Sequence, residues 1–334
     1  MNWDEFREIW PIPGPWSMRP IIQGINNLTQ IIDSPSGRYI LRTYDPDRPL
    51  ERVRYELTIL SYLQQKNLPF HIPALIPTVT GETFAVLSGA MVTLSPWLSG
   101  SPPQNLNLGQ AYSAGQALAE LVKALAEIEI ELTADVAPFS PSGDFEAWAG
   151  VEIDPANLMQ ELPLTKEEQK QILRLLDESQ ARTPSLYQAL PQQIIHRDYD
   201  QSNILMDGNL VTGVLDFEFC GPDLRIIDLA YALSQWPGGW WNTGNEWNII
   251  DAFVQGYLRG QILRLEELEA LPAIVRLRFT TGLFFRLGRY MRGLETPESV
   301  LERVRETLIT ETWLEMHEEE LLRCVHTWYD SMWK

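Results

Sequence analysis

Apolar residues come first in short runs and later in long stretches of helical period. Ile21-Ile22, Leu28 to Ile32 and Tyr39 to Thr43 are brief apolar runs, and Ser34-Pro35-Ser36-Gly37 divides the last two. They predict strands joined by turns. Ahead of them, Pro11-Ile12-Pro13-Gly14-Pro15 reads as a turn-rich arm. Between Leu50 and Gln65, the residues Val53, Leu57, Leu60 and Leu63 recur at the spacing of a helix face. Pro69, Pro73 and Pro77 end that pattern, and Thr83 to Leu87 and Met91 to Leu94 predict two further strands.

The segment Ser95-Pro96-Trp97-Leu98-Ser99-Gly100-Ser101-Pro102-Pro103 is the sharpest boundary in the chain. Beyond it, Ala111 to Glu129 and Lys166 to Ser179 predict helices, and strand character returns over Gln193 to Phe217. Helical period then dominates over Ile226 to Gln235, Trp247 to Leu258, Leu265 to Arg292 (divisible at Pro272) and Val300 to Trp333. The pattern predicts an α+β architecture of two lobes. A small β-rich lobe spans 1–95, a connector lies near 95–100, and a large helical lobe spans 101–334. An active site is expected in the cleft between the lobes.

Composition narrows the class. Apolar residues are 45% and charged residues 21% of the 334, a globular mix able to bury a sizeable core. No run is long enough to span a bilayer, and Met1-Asn2-Trp3-Asp4-Glu5 lacks the basic start of a signal peptide, so the protein is expected in the cytoplasm with no membrane partner. Cys220 and Cys324 are too few for a disulfide framework or a zinc site. The net charge of −19 argues against nucleic acid, whose phosphates call for a basic face. An acidic body suits a cationic substrate, and equally serves solubility alone.

Candidate chemistry centres on His196-Arg197-Asp198-Tyr199-Asp200-Gln201-Ser202-Asn203, followed by Val214-Leu215-Asp216-Phe217-Glu218. Phosphoryl transfer asks a protein to orient an acceptor hydroxyl and to compensate charge on phosphates. Asp198, at the start of a tight loop, can take the hydroxyl proton. Asn203 can supply a neutral oxygen, and Asp216 a charged one, to Mg²⁺, which prefers one or two carboxylates plus substrate phosphates. The hairpin Ile204 to Thr212 turns at Asp207-Gly208-Asn209 and brings Asn203 and Asp216 to adjacent strand ends. His196 is read as bracing the loop by hydrogen bonding, and Asp200 as equally suited to solvent or function.

Together these motifs resemble the catalytic signature of the aminoglycoside phosphotransferase and choline kinase superfamily, whose fold is protein-kinase-like. The resemblance covers roughly residues 20–290 and extends through Gly221-Pro222-Asp223-Leu224-Arg225-Ile226-Ile227-Asp228-Leu229-Ala230. There it implies that Asp228 anchors the catalytic loop. Ala232-Leu233-Ser234-Gln235-Trp236 is similar in flavour to bacterial homoserine kinases of the second type. The resemblance implies ATP as donor and Mg²⁺ as cofactor. A kinase needs a cation on the α- and β-phosphates and an acid to hold it. Arg42, in Tyr39-Ile40-Leu41-Arg42, stands where lysine is usual, as in choline-kinase-like members, and no lysine precedes Lys66. Glu56 is the expected acid, Glu51 its alternative, and a solvated helix-face residue the bland reading. In Gln23-Gly24-Ile25-Asn26-Asn27-Leu28 the family pattern implies phosphate-loop roles for Gly24 and Asn27. Alignment on Gly100 implies that the Pro96 carbonyl and the Leu98 amide bind adenine.

Only eleven residues separate Asp216 from Asp228, and no Ala-Pro-Glu motif follows, so a peptide-docking platform looks absent. The acceptor is therefore expected to be small: a homoserine-like amino alcohol, a choline-like amine or an aminoglycoside. Trp236, Trp240, Trp241 and Trp247 lie where the family builds its acceptor pocket, and serve equally as helix packing. Arg286, Arg289 and Arg292 share a helical face and could receive a carboxylate or pair with acidic residues. Phe284, Phe285 and Tyr290 read as core. A catalytically silent nucleotide-binding protein of the same fold is the alternative. Retention of Asp198, Asn203 and Asp216 together favours the enzyme.

Overall fold

The structure, a computed structural model, describes residues 3–21, 27–45, 48–104, 106–128, 149–235 and 244–333. It divides into two units. One draws on Met1–Gln104, Glu127–Asp135 and Ser202–Phe219, the other on Asn105–Ala126, Val136–Gln201 and Cys220–Lys334.

The first unit is built on an antiparallel sheet. Strands β1 (Ser17–Ile21), β2 (Leu28–Ser34), β3 (Gly37–Thr43), β4 (Ala85–Leu87) and β5 (Ala90–Pro96) lie in the order β1-β2-β3-β5-β4. Strand alternation assigns its faces. Ile32, Leu41, Leu87, Val92 and Leu94 enter one core, which Phe6 and Trp10 complete. Those two come from helix α1 (Trp3–Ile9) and the residue just after it, which the arm-like reading of the N-terminus did not anticipate, and Trp10 Nε1 donates to the Ile76 carbonyl at 3.0 Å. Arg42, one residue from Leu41, pairs in register with Thr93. Ser88 and Gly89, at φ 52° and 83°, make the two-residue turn from β4 to β5. Helix α2 (Leu50–Leu63) buries Val53, Leu57, Leu60 and Leu63, as their period predicts, together with Glu56.

A hairpin of β7 (Ile204–Asp207) and β8 (Leu210–Val214), turning at Gly208 with φ 58°, belongs to this unit although it lies far along the chain. His71 holds one strand by Thr212 and Val214, and Ser101 holds the other by Met206, each through two backbone hydrogen bonds of 2.9–3.1 Å. Gly100, at φ 114°, lies against it: a Cβ there would stand 2.5 Å from Thr212 Oγ1.

Among the described residues the second unit is helical except for β6 (Gln192–Ile195) paired with β9 (Gly221–Leu224). Its helices are α3 (Leu108–Ala126), α4 (Pro155–Glu161), α5 (Lys166–Ala189), α6 (Ile226–Gln235), α7 (Glu246–Tyr257), α8 (Leu265–Glu269), α9 (Leu271–Met291) and α10 (Pro297–Ser331). Helices α3 and α7 touch backbone to backbone. A Cβ on Gly115 would overlap the Phe253 carbonyl, and one on Gly256 would overlap that of Tyr112. Helix α5 starts on a Thr165–Glu168 capping box and runs through Pro184, ten residues past the expected end at Ser179. Among the described residues no helix is long and apolar enough to cross a membrane.

Candidate active site

In the first unit the sheet and α2 place Arg42 among carboxylates. Its Nη1 donates to Glu56 Oε1 at 3.1 Å, and its Nη2 to Asp216 Oδ1 at 3.0 Å and Glu218 Oε2 at 3.1 Å. Glu56 is therefore the acid that meets Arg42, while the alternative, Glu51, is exposed. Arg48 reinforces the cluster, with contacts of 2.9 Å to Glu218 Oε2 and 3.4 Å to Glu56 Oε2. Arg48 and Arg52 also donate to the Glu218 carbonyl, at 2.9 and 2.6 Å. Asn27 Nδ2 donates to Glu218 Oε2 at 2.6 Å, whereas Gly24 lies outside the described residues. Burial raises the Glu56 carboxyl above its ordinary range, against the downward pull of Arg42 and Arg48. Burial works against the Arg42 cation, but Glu56 and Asp216 more than compensate, and its pKa rises well above the ordinary value.

The hairpin brings Asn203 and Asp216 together. Ile204 pairs with Val214, and the Leu215 amide donates to the Asn203 carbonyl at 2.8 Å. Asp216 adopts φ 56°, a left-handed conformation uncommon outside glycine. Among the described residues no group of three or more His, Cys, Asp or Glu side chains could hold a metal alone. An aspartate carboxylate and an asparagine amide oxygen are donors of the kind that Mg²⁺ takes when phosphates and water complete its shell. Pro96 ends β5 opposite Tyr39. The Leu98 side chain approaches the bare face of Gly213, 3.4 Å from where a Cβ would stand.

In the second unit the loop after β6 is tied from beneath. Asp228, buried on α6, accepts from the His196 amide at 2.8 Å and the Arg197 amide at 2.7 Å. Burial drives its carboxyl up to about 6 despite those two donors. Arg197 takes φ 67° and buries its guanidinium on Asp223, Nε to Oδ2 2.9 Å. His196 Nδ1 accepts from the Asp198 amide at 3.2 Å, a bracing contact. Tyr199 Oη reaches the Ala114 carbonyl of α3 at 2.9 Å. Asp198 remains half-buried, and its Oδ1 accepts from Tyr231 Oη at 2.9 Å. Burial first, then the Asp198 charge, holds the Tyr231 phenol well above its usual range, so it stays a donor.

Two expectations about acceptor residues are decided here. Arg286 and Arg289 both bind Glu295, at 2.6 and 2.9 Å, and Arg292 Nε donates to the Gly288 carbonyl at 3.2 Å. Arg286 and Arg289 thus pair with acid rather than waiting for a carboxylate. Trp247 packs against Trp313 and His317, with ring centroids 5.2 and 6.1 Å away, the helix-packing role. Trp236, Trp240 and Trp241 lie outside the described residues. Sequence reasoning overlooked Glu218, Arg48 and Tyr231. Glu218 could have been suspected from its place two residues after Asp216. Tyr231 and Arg48 carry no local signal.

A model described as the phosphotransferase enzyme family matches residues 17–273, most of the chain. The chain belongs to that family. Among relatives of this phosphotransferase is a homoserine kinase of Rhodopseudomonas palustris (strain BisA53), 27% identical over 316 residues, or 94% of this chain and 91% of the relative. A homoserine kinase of Caulobacter vibrioides (strain NA1000 / CB15N) is 26% identical over 96% of this chain and 95% of its own length. The fold is shared with the amicoumacin kinase hAmiN in complex with AMP-PNP, Ca2+ and Ami (TM-score 0.67, 14% identity, 93% of this chain and 92% of that one). It is also shared with choline kinase from Cryptosporidium parvum Iowa II (TM-score 0.61, 14% identity, 94% and 93%). The phosphotransferase is thus α+β and protein-kinase-like, as its strand-then-helix pattern and its motifs implied.

Proposed function

We propose that this phosphotransferase moves the γ-phosphoryl group of ATP onto the side-chain hydroxyl of L-homoserine. The observation that carries phosphoryl transfer is the junction at Arg42, where one guanidinium meets both the helix acid Glu56 and the strand-end Asp216. The acceptor is supported by end-to-end similarity to homoserine kinases, over more than nine-tenths of this chain.

In this reading residues 1–95 and the connector at 95–100 handle the nucleotide. Gly24 and Asn27 serve the phosphate loop, Arg42 braced by Glu56 binds the α- and β-phosphates, and the Pro96 carbonyl and Leu98 amide take adenine. Residues 101–334 carry catalysis and the acceptor. Asn203 and Asp216 would hold Mg²⁺, which supplies charge compensation on the phosphates. Asp198 is the catalytic residue. With Oδ1 engaged by Tyr231, its other oxygen accepts the hydroxyl proton as the acceptor oxygen bonds to the γ-phosphorus and ADP departs. Asp228 and His196 hold the loop that presents it.

The test is ADP release with ATP, Mg²⁺ and L-homoserine, alongside choline and an aminoglycoside, with the product identified by mass. Formation of O-phosphohomoserine is expected. Nucleotide binding with no ADP release from any acceptor would instead support a silent binding protein.

A further inference from the structure

Helix α6 meets the catalytic loop twice. Asp228 takes the His196 and Arg197 amides at 2.8 and 2.7 Å, and Tyr231, one turn further along the same helix, reaches the Asp198 carboxylate at 2.9 Å. The first contact ties the loop backbone to the helix. The helix then carries the phenol to a set place beside Asp198, as a rigid element does for a side chain it bears. The Tyr231 ring is held in turn. Arg278 of α9 lies over it, with Cζ 4.1 Å from the centroid, and only 6% of the tyrosine is exposed. Gly282, one turn beyond Arg278, gives that guanidinium its room. A Cβ there would stand 2.9 Å from Arg278 Nη1 and overlap Nη2 of Arg303, which comes from α10.

The Tyr231 hydroxyl faces two carboxylates and has one proton to give. Asp198 Oδ1 is 2.9 Å away, an ordinary hydrogen bond, whereas Asp200 Oδ2 is 3.5 Å away, at the edge of one. Distance therefore allots the proton to Asp198. Burial first, and then the charges of Asp198 and Asp200, keep the phenol protonated against the opposite pull of Arg278 and Arg303. An aspartate carboxylate otherwise turns about a broad terminal torsion. A donor fixed on one of its oxygens stops that rotation and sets the direction of the other.

We propose that Tyr231 is the positioning residue of Asp198: by giving its proton to Asp198 and not to Asp200, it makes Asp198, of the two aspartates in the loop, the one aimed at the acceptor hydroxyl. The inference rests on the phosphotransfer reading above and adds what orients its base. Orientation carries weight here, because a misplacement of about 1 Å near the reacting atoms can cost about a hundred-fold in rate.

Tyr231→Phe removes one oxygen and leaves the ring under Arg278, so the variant should fold. Its kcat with L-homoserine should fall about ten-fold or more, while KM for ATP and for homoserine stays within about three-fold. Asp200→Asn should hold kcat within about three-fold. A normal kcat in Tyr231→Phe would overturn the proposal, as would a larger loss in Asp200→Asn than in Tyr231→Phe. A second measurement needs no turnover. The buried hydroxyl proton should give a low-field proton NMR resonance that Tyr231→Phe abolishes, Asp198→Asn moves and Asp200→Asn leaves in place. A resonance moved by Asp200→Asn and indifferent to Asp198→Asn would reverse the allotment. The two measurements separate this inference from its parent. A resonance that follows Asp198 in a protein without turnover sinks the reaction and leaves the contact, whereas turnover that ignores the loss of the hydroxyl sinks the positioning role alone.

Discussion

Replacing Arg42 with methionine roughly keeps its length and removes its charge, and the structure sets the size and pH dependence of the result. Arg42 faces Glu56, Glu218 and Asp216, whose side chains are 2%, 6% and 32% exposed. Removing one partner of a buried ion pair costs about 3–5 kcal/mol, because the other charge is stranded. Arg48 still reaches Glu218 at 2.9 Å and Glu56 at 3.4 Å, and Asp216 can turn to water. The lower end applies, about 3 kcal/mol at pH 7.5.

That loss should shrink on acidification. Burial already raises the Glu56 carboxyl, and Arg42 is the strongest influence pulling it back. Without Arg42 its folded pKa climbs further above the unfolded value. A carboxyl raised in this way contributes stability that is fully present below its unfolded pKa and lost as pH rises through its folded pKa. The destabilisation of Arg42→Met should therefore fall by about 1 kcal/mol or more between pH 7.5 and 5.5, since a ten-fold change in proton affinity is worth about 1.4 kcal/mol. Urea unfolding followed by tryptophan fluorescence at both pH values measures it. A cost that is the same at both, or below about 1 kcal/mol at pH 7.5, would refute the picture of Glu56 stranded in the first unit. The variant should also lose the thermal shift that MgATP gives the parent enzyme.

Three other outcomes are expected. Asp198→Ala should cut the rate of ADP release about a hundred-fold or more while the ATP-induced thermal shift survives, and full turnover in that variant would remove Asp198 from the reaction. Asp228 has its carboxyl pushed up to about 6, so the stability it gives is complete below its unfolded value near 3.8 and fades as pH rises through 6. Asp228→Asn deletes this titration, and unfolding free energies should show the unaltered protein gaining about 2.5 kcal/mol on the variant from pH 7 down to about pH 4. Gly115→Ala sets a methyl group on the Phe253 carbonyl and should destabilise by about 1–3 kcal/mol, outweighing a helix-propensity gain of about 1 kcal/mol. An Ala variant as stable as the parent by denaturant midpoint would mean that α3 and α7 are not in backbone contact.

Periodicity located the elements whose burial is one-sided. Helices α2 and α6 and strands β2 and β3 stand where the apolar spacing puts them, because each packs within its own unit. What it missed follows from other physics. Helix α1 is seven residues long and is held by the long-range packing of Phe6 and Trp10, which no local period reveals. Strand β9 is written Gly221-Pro222-Asp223-Leu224, a turn by composition. It is a strand because β6 pairs with it and Arg197 reaches both the Pro222 carbonyl and Asp223. Helix α5 continues past Pro184, where the proline forfeits one backbone bond, the one the Gln180 carbonyl would accept.

The site was legible where its parts are adjacent in sequence and illegible where they converge from afar. His196 to Asn203 and Asp216 are fixed by one loop and one hairpin, so spacing alone gathers them. Glu56 was preferred to Glu51 by family pattern, and the reason is now physical: residues 53, 56, 57 and 60 share the buried face of α2, while 51 points to solvent. The arginines show the opposite case. Arg286, Arg289 and Arg292 stand out because they share a helical face, yet Glu295, just past the end of the same helix, was close enough to claim two of them. Arg278 and Arg303 stand on different helices, and only the missing side chain of Gly282 lets them meet. A cationic pair made by tertiary packing carries no motif.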